Sequence, residues 1–208
     1  MTDDEPSTTE NPSDRGQSGY SDDISLVLRP IIDELSPGRC LDVATGTGRN
    51  ALPLAARGWT VDAVDLSRAK LERARERERN RTRRTGQPPS EPVNWILADV
   101  DSYCFPGGVY DLLTVSFFDA RDRLSDIVDA LAPGGVLWYE HYLESPAAES
   151  GARNPFRFEP NELLTACSRS KLTVLYYAEY AVDDEPRVVL VARNEDGVRR
   201  WRPTLPAP

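Results

Sequence analysis

The ten residues Leu41-Asp42-Val43-Ala44-Thr45-Gly46-Thr47-Gly48-Arg49-Asn50 constrain this chain more than any other stretch. A short apolar run leads into a turn of small residues, and a helix-favouring segment follows. Gly46 and Gly48 lack side chains, so a ligand can lie against the backbone of the turn. The amides that open the next helix then face an anionic group. Strand, glycine turn and helix in that order begin a βαβ unit, which implies a parallel sheet with right-handed crossovers.

The alternation continues along the chain. Residues 22–35 place Ile24, Val27, Leu28, Ile31, Ile32 and Leu35 at helical spacing, with Ser21 or Asp22 as cap and a kink expected at Pro30. Strands are expected over 39–43, 60–64, 93–97, 110–115 and 136–142, and helices over 49–57, 67–84 and 122–131. Pro133-Gly134-Gly135 reads as the turn into the fifth strand. A loop over 145–158 and a short helix over 160–167 follow. Strands over 172–180 and 187–192, joined by a short acidic turn, favour antiparallel pairing.

The expected fold is α/β: a doubly wound, mostly parallel seven-stranded sheet with an antiparallel C-terminal strand pair. A single domain is expected over 21–195, flanked by a disordered acidic tail at 1–20 and a second tail at 196–208. Sheets of this kind bind ligands beyond the carboxyl ends of their strands, at the switch point of the strand order.

Apolar runs reach only about six residues, too few to span a bilayer, and the acidic N-terminus has no signal-peptide pattern. Cytoplasmic placement is expected. Cys40, Cys104 and Cys167 form no CxxC or Cys/His cluster, so neither a disulfide framework nor a metal site is expected. The net charge of −9 disfavours a nucleic-acid partner. Arg73, Arg75, Arg77, Arg79, Arg81, Arg83 and Arg84 cluster on one helix. They go around it, and Glu72/Arg75, Glu76/Arg79 and Glu78/Arg81 stand at i,i+3 as neutralising pairs.

Three strand ends carry carboxylates. Asp65 can accept two ribose hydroxyls, a property shared with dinucleotide-binding folds, and Gly46-x-Gly48-x-x-Ala51 also satisfies their fingerprint. Asp42 separates the two readings, because it suits a cationic amino group and would repel a pyrophosphate. Asp99 can accept from an adenine amine while Val100 covers the ring. Together they suit a cationic, ribose-bearing, adenine-bearing ligand, S-adenosyl-L-methionine.

On these residues the chain resembles the class I S-adenosylmethionine-dependent methyltransferases from residue 22 to 192. Leu41–Gly48 is similar to their first motif, with Ala44 in place of its usual first glycine, and Asp65 to their second acidic position. Asp99-Val100 resembles the adenine motif, Tyr110-Asp111-Leu112-Leu113 the fourth strand, and Leu131-Ala132-Pro133-Gly134-Gly135-Val136-Leu137 the turn into the fifth. The run from Gly48-Arg49-Asn50 to Gly58, with Asn154-Pro155-Phe156-Arg157-Phe158, resembles the tellurite-resistance-type branch. The resemblance implies S-adenosyl-L-methionine at Asp42, Ala44, Gly46, Gly48, Arg49, Asp65, Leu66, Asp99, Val100 and Ser116, and transfer to a small-molecule acceptor. A soft nucleophile or oxyanion is one acceptor class. A non-catalytic cofactor-binding module and an NAD-dependent oxidoreductase stand as alternatives.

Methyl transfer is an in-line displacement, so alignment and water exclusion are its main needs. The acceptor is expected over strands four and five, enclosed by the 145–158 loop. Ser116, Phe117 and Phe118 are expected to wall the methyl group, with Tyr142 and Arg153 on the acceptor. His141, the only histidine, stands at the end of strand five as a candidate general base, against a purely structural role.

Overall fold

The computed structural model describes residues 25, 27–86, 92–144 and 154–195. The two expected tails, the caps Ser21 and Asp22, and the 145–153 part of the acceptor loop with Arg153 lie outside these residues. Seven strands form one sheet in the order β3-β2-β1-β4-β5-β7-β6. They are β1 Arg39–Val43, β2 Thr60–Asp65, β3 Asn94–Leu97, β4 Tyr110–Ser116, β5 Leu131–Tyr142, β6 Leu172–Val182 and β7 Glu185–Asn194. The first five pair in parallel, while β7 runs antiparallel to both β5 and β6. The strand order reverses between β1 and β4, so the crevice of the switch point opens above their ends.

Both faces of the sheet are buried, and this explains why its central strands are apolar without strict alternation. On one face Leu41, Leu113, Leu137 and Leu190 pack with Ile127 and Val128 of α4 (Leu124–Ala130) and Leu163 of α5 (Glu162–Ser168). On the other, Cys40, Leu112, Trp138 and Val191 pack with α1 (Leu28–Glu34), α2 (Ala51–Ala55) and α3 (Arg68–Thr85). Cys40 and Cys167 are buried free thiols, and Cys104 is exposed.

Several boundaries differ from expectation. The α1 helix starts at Leu28, so Pro30 sits in its first turn, where no intrahelical N–H is required and no kink results. The expected turn at Pro133-Gly134-Gly135 lies inside β5, which begins at Leu131 opposite Tyr110 and shifts register before Leu112. The helix expected over 49–57 is α-helical only at Ala51–Ala55. Between β6 and β7, Asp183 and Asp184 both take positive φ, +50° and +62°, as a tight two-residue hairpin demands.

On α3, Ser67 caps the start through Lys70 N–H (3.3 Å). Arg75 donates to the Trp95 carbonyl (3.3 Å), and Glu78 accepts from Val93 N–H (3.1 Å) and Trp95 Nε1–H (2.9 Å). These side chains tie the charged helix to β3, a role beyond the self-neutralisation expected of them.

Candidate cofactor and acceptor site

The turn after β1 is sharp because three of its residues are left-handed: Ala44 (φ +52°), Gly46 (+61°) and Gly48 (+80°). A side chain at Gly46 would meet nothing within 4 Å, so its surface is left to a ligand. Gly48 serves another purpose. A Cβ there would stand 2.7 Å from Trp95 Cη2, so this glycine makes room for the indole ring and does not line the cavity. The expectation that a ligand lies on both glycines is corrected at Gly48.

Asp42, at the end of β1, is 1% exposed. Its Oδ2 accepts from Thr45 Oγ1 (2.5 Å) and its Oδ1 from Thr114 Oγ1 (2.7 Å). Burial raises its pKa, opposed by these hydroxyls and by bonds from Asn50 and the Ala51 amide. Asn50 also donates from Nδ2 to Ser116 Oγ (2.8 Å), while its buried Oδ1 meets no donor among the described residues. The floor of the crevice is thus lined with acceptors, which a cationic group satisfies.

Asp65 caps the end of β2 and accepts from two backbone amides, Gly46 N–H on Oδ2 (2.8 Å) and Ser67 N–H on Oδ1 (2.8 Å). Each oxygen keeps a second lone-pair direction for a ligand hydroxyl. Leu66, next in the chain, is 68% exposed and overhangs the same space. Across from it, after β3, Val100 is buried and Asp99 is exposed, its Oδ1 accepting from Asp101 N–H (3.0 Å). Arg123 holds that loop by donating to the carbonyls of Val100 (2.7 Å), Asp101 and Tyr103 (2.8 Å). From α3, Arg77 holds the glycine turn through Thr47 O (2.9 Å) and Oγ1 (3.1 Å).

These groups converge on one cavity of about 710 Å³, within the range of ligand sites. Of the expected cofactor residues, Asp42, Ala44, Gly46, Arg49, Asp65, Leu66, Asp99, Val100 and Ser116 line it, as does Phe117. Thr45, Asn50, Ser67, Lys70 and Arg77 line it as well and escaped the sequence reading. Asn50 is the most informative of these, since a polar side chain opening a short helix was a legible signal.

Acceptor-side expectations fare unevenly. Tyr142 stands behind the wall, its ring 4.7 Å from Phe117, and does not line the cavity. His141 points to the opposite face. Its ring packs on Phe158 (5.2 Å) and Tyr139 (6.4 Å), it is buried, and burial lowers its pKa. It does not line the cavity, so the base expected there is displaced to the structural reading. The reason is parity: adjacent residues of a strand point to opposite faces, and position 140, not 141, shares the face of Ser116.

Residues 40–135 match the family described as "Methyltransferase domain". Demethylmenaquinone methyltransferase of Thermus thermophilus is 34% identical over 126 residues, covering 57% of this chain and 52% of that protein. Malonyl-[acyl-carrier protein] O-methyltransferase of Salmonella typhimurium is 32% identical over 102 residues, 47% of this chain and 36% of that one. The chain therefore spans about half the length, or less, of the curated relatives it matches. Among solved structures, TehB from Haemophilus influenzae superposes with a TM-score of 0.64 at 18% identity, over 80% of this chain and 61% of that chain. A methyltransferase from Methanosarcina mazei gives 0.64 at 16% identity, over 83% and 98%. The seven-stranded sheet is the class I methyltransferase fold.

Proposed function

We propose that this chain, whose residues 40–135 form a methyltransferase domain within the class I methyltransferase fold, transfers a methyl group from S-adenosyl-L-methionine to a small-molecule acceptor. The observation that carries this reading is the arrangement of acceptors along the cavity. Asp42 and Asn50 supply a buried acceptor floor at one end, and Asp65 supplies two lone pairs in the middle. Leu66 and Val100 supply apolar cover beside Asp99 at the other end. An ammonium, a ribose diol and an adenine follow one another in the same order along the proposed cofactor. A nicotinamide dinucleotide would set a pyrophosphate against Asp42, where its charge is opposed.

When bound, the cofactor supplies a methyl carbon activated by a sulfonium. The protein's own residues do the rest: Asp65 and Asp42 fix the ligand, Arg77 and Arg123 fix the two loops that hold it, and Ser116, Phe117 and Phe118 bound the reacting end. The relatives' printed names, a demethylmenaquinone methyltransferase and a malonyl-carrier O-methyltransferase, support an acceptor that is not a nucleic acid. The acidic net charge supports the same choice. Calorimetry with S-adenosylhomocysteine and with NAD tests the cofactor, and transfer of labelled methyl to a panel of small acceptors tests the activity. Micromolar binding of the first ligand alone is expected. Binding of NAD alone, or of neither, would sink the reading.

A further inference from the structure

At the methyl end of the cavity, the residues before α2 and the end of β4 are joined by two neighbouring contacts. Asn50, 2% exposed, donates from Nδ2 to Ser116 Oγ (2.8 Å) and also bonds Asp42. A carboxylate only accepts, so the Asn50 amide turns its hydrogens toward Asp42 and Ser116. Because Ser116 Oγ receives a proton from Asn50, its own proton is left for a group in the cavity that it lines. One residue away in each segment, the Arg49 guanidinium lies over the Phe117 ring at 5.3 Å. Both of these residues line the cavity, and Phe117 holds a left-handed backbone, φ +51°. Strain of that kind persists where surrounding contacts dictate it.

Arg49 stands on the acceptor side. Burial raises the Tyr180 pKa, and the charges of Arg187 and Arg49 oppose that rise, so the Arg49 guanidinium reaches toward β6. Lys70 and Arg77, the other cations that line the cavity, come from α3, which follows Asp65. The methyl end thus combines an O–H donor, a guanidinium and two apolar rings, Phe117 and Phe118. It offers no base among the described residues. Asp65, Asp99 and Asp101 line the cavity at the ends of β2 and β3, and Asp42 is engaged by Thr45, Thr114 and Asn50. Glu140 stands behind Phe117, its Oε1 accepting from the Tyr180 hydroxyl (2.5 Å) and 3.6 Å from Arg187 Nη1. It does not line the cavity, and neither does His141.

We infer that the methyl acceptor is a carboxylate, held by Ser116 and Arg49 and converted to its methyl ester; the assignment rests on the methyltransferase reading above. A phenol, thiol or ammonium keeps most of its protons at neutral pH and needs a base, whereas a carboxylic acid of pKa about 4 arrives ionised. A guanidinium fork and an O–H donor match the lone pairs of a carboxylate. One carboxylate oxygen takes these donors. The other uses a lone pair to bond the methyl carbon as the carbon–sulfur bond breaks and its electron pair passes to sulfur. The negative charge of the carboxylate and the positive charge of the sulfonium disappear together. No proton moves, and the products are the ester and S-adenosylhomocysteine. The rings of Phe117 and Phe118 exclude water from the exchange.

The test loads the protein with S-adenosylhomocysteine and titrates it with benzoate and with benzamide, which has nearly the same shape and no charge. The wild type is expected to prefer benzoate by at least about 10-fold, as charge-assisted hydrogen bonds imply. Arg49→Gln should cut that preference to about two-fold or less, and Arg49→Lys should restore part of it. Ser116→Ala should cut it at least about three-fold. With methyl-labelled S-adenosyl-L-methionine, benzoate should yield label that mild base releases as methanol, as an ester does, and phenol and aniline should yield none. Equal binding of benzoate and benzamide by the wild type, binding of neither, or a preference unchanged in both Arg49→Gln and Ser116→Ala would overturn the inference. Label on phenol or aniline alone would do the same. So would a loss of S-adenosylhomocysteine affinity in Arg49→Gln that 5′-methylthioadenosine, which lacks the amino-acid carboxylate, does not share, because the guanidinium would then hold the cofactor. No S-adenosylhomocysteine binding by the wild type would refute the cofactor reading itself, which keeps the two failures apart.

Discussion

Gly48→Ala tests whether this glycine exists for packing. At φ +80° an alanine carries the left-handed penalty, roughly 1–2 kcal/mol. Its Cβ would also lie 2.7 Å from Trp95 Cη2, 3.3 Å from Trp95 Cζ3 and 3.2 Å from Leu52 Cγ. Trp95 cannot swing away freely, because its Nε1–H is bonded to Glu78 (2.9 Å). Overpacking of that kind adds about 1–3 kcal/mol. The expected total is about 2–5 kcal/mol, a large share of the roughly 5–15 kcal/mol that stabilises a domain. Urea unfolding followed by far-ultraviolet circular dichroism measures it. Trp95→Phe removes the two indole atoms that clash, so the double variant should recover at least about 1 kcal/mol relative to the sum of the single changes. A cost below about 0.5 kcal/mol for Gly48→Ala, or strict additivity with Trp95→Phe, would refute the packing argument.

Asp65→Ala should weaken S-adenosylhomocysteine binding by at least about 30-fold in calorimetry, since two ligand hydroxyls lose a charged acceptor and the Gly46 and Ser67 amides lose theirs. Leu66→Ala should leave unfolding free energy within about 0.5 kcal/mol of wild type, because the side chain is largely exposed. The same change should lower adenosine affinity measurably, and unchanged affinity would remove Leu66 from the site. Burial depresses the His141 pKa, so the unfolded chain binds the extra proton first. Its contribution is present above the unfolded value of about 6.5 and is lost as pH falls through it. Stability of wild type minus that of His141→Gln, followed by urea unfolding from pH 8 downward in a buffer series, should fall through that window. A flat difference would contradict the assignment. Ala44→Gly should stabilise the fold by up to about 1 kcal/mol by relieving the left-handed alanine at φ +52°, less the entropy glycine adds to the unfolded chain.

The strand ends were legible because each is announced locally. Asp42, Asp65 and Asp99-Val100 each follow a short apolar run, and a parallel sheet delivers all such ends to one edge whatever the exact register. The antiparallel edge pair was legible for a similar reason: the short acidic turn expected between 180 and 187 cannot support a crossover. Face, partner and role belonged to the tertiary structure. His141 and Glu140 are neighbours in sequence, and only pairing with Ser116 on one side and Val188 and Val189 on the other decides which of them shares the ligand's face. Gly48 looks like Gly46 in the motif, yet the indole brought in by β3 gives it a different duty. The Glu140, Tyr180 and Arg187 cluster draws on three strands that meet only in the order β5-β7-β6. Local chemistry travels with the chain, so sequence alone determined the glycine turn, the strand-end carboxylates and the α/β alternation. Contacts between distant segments depend on how the strands pair, so the packing glycine and the structural histidine were decided only when the sheet closed.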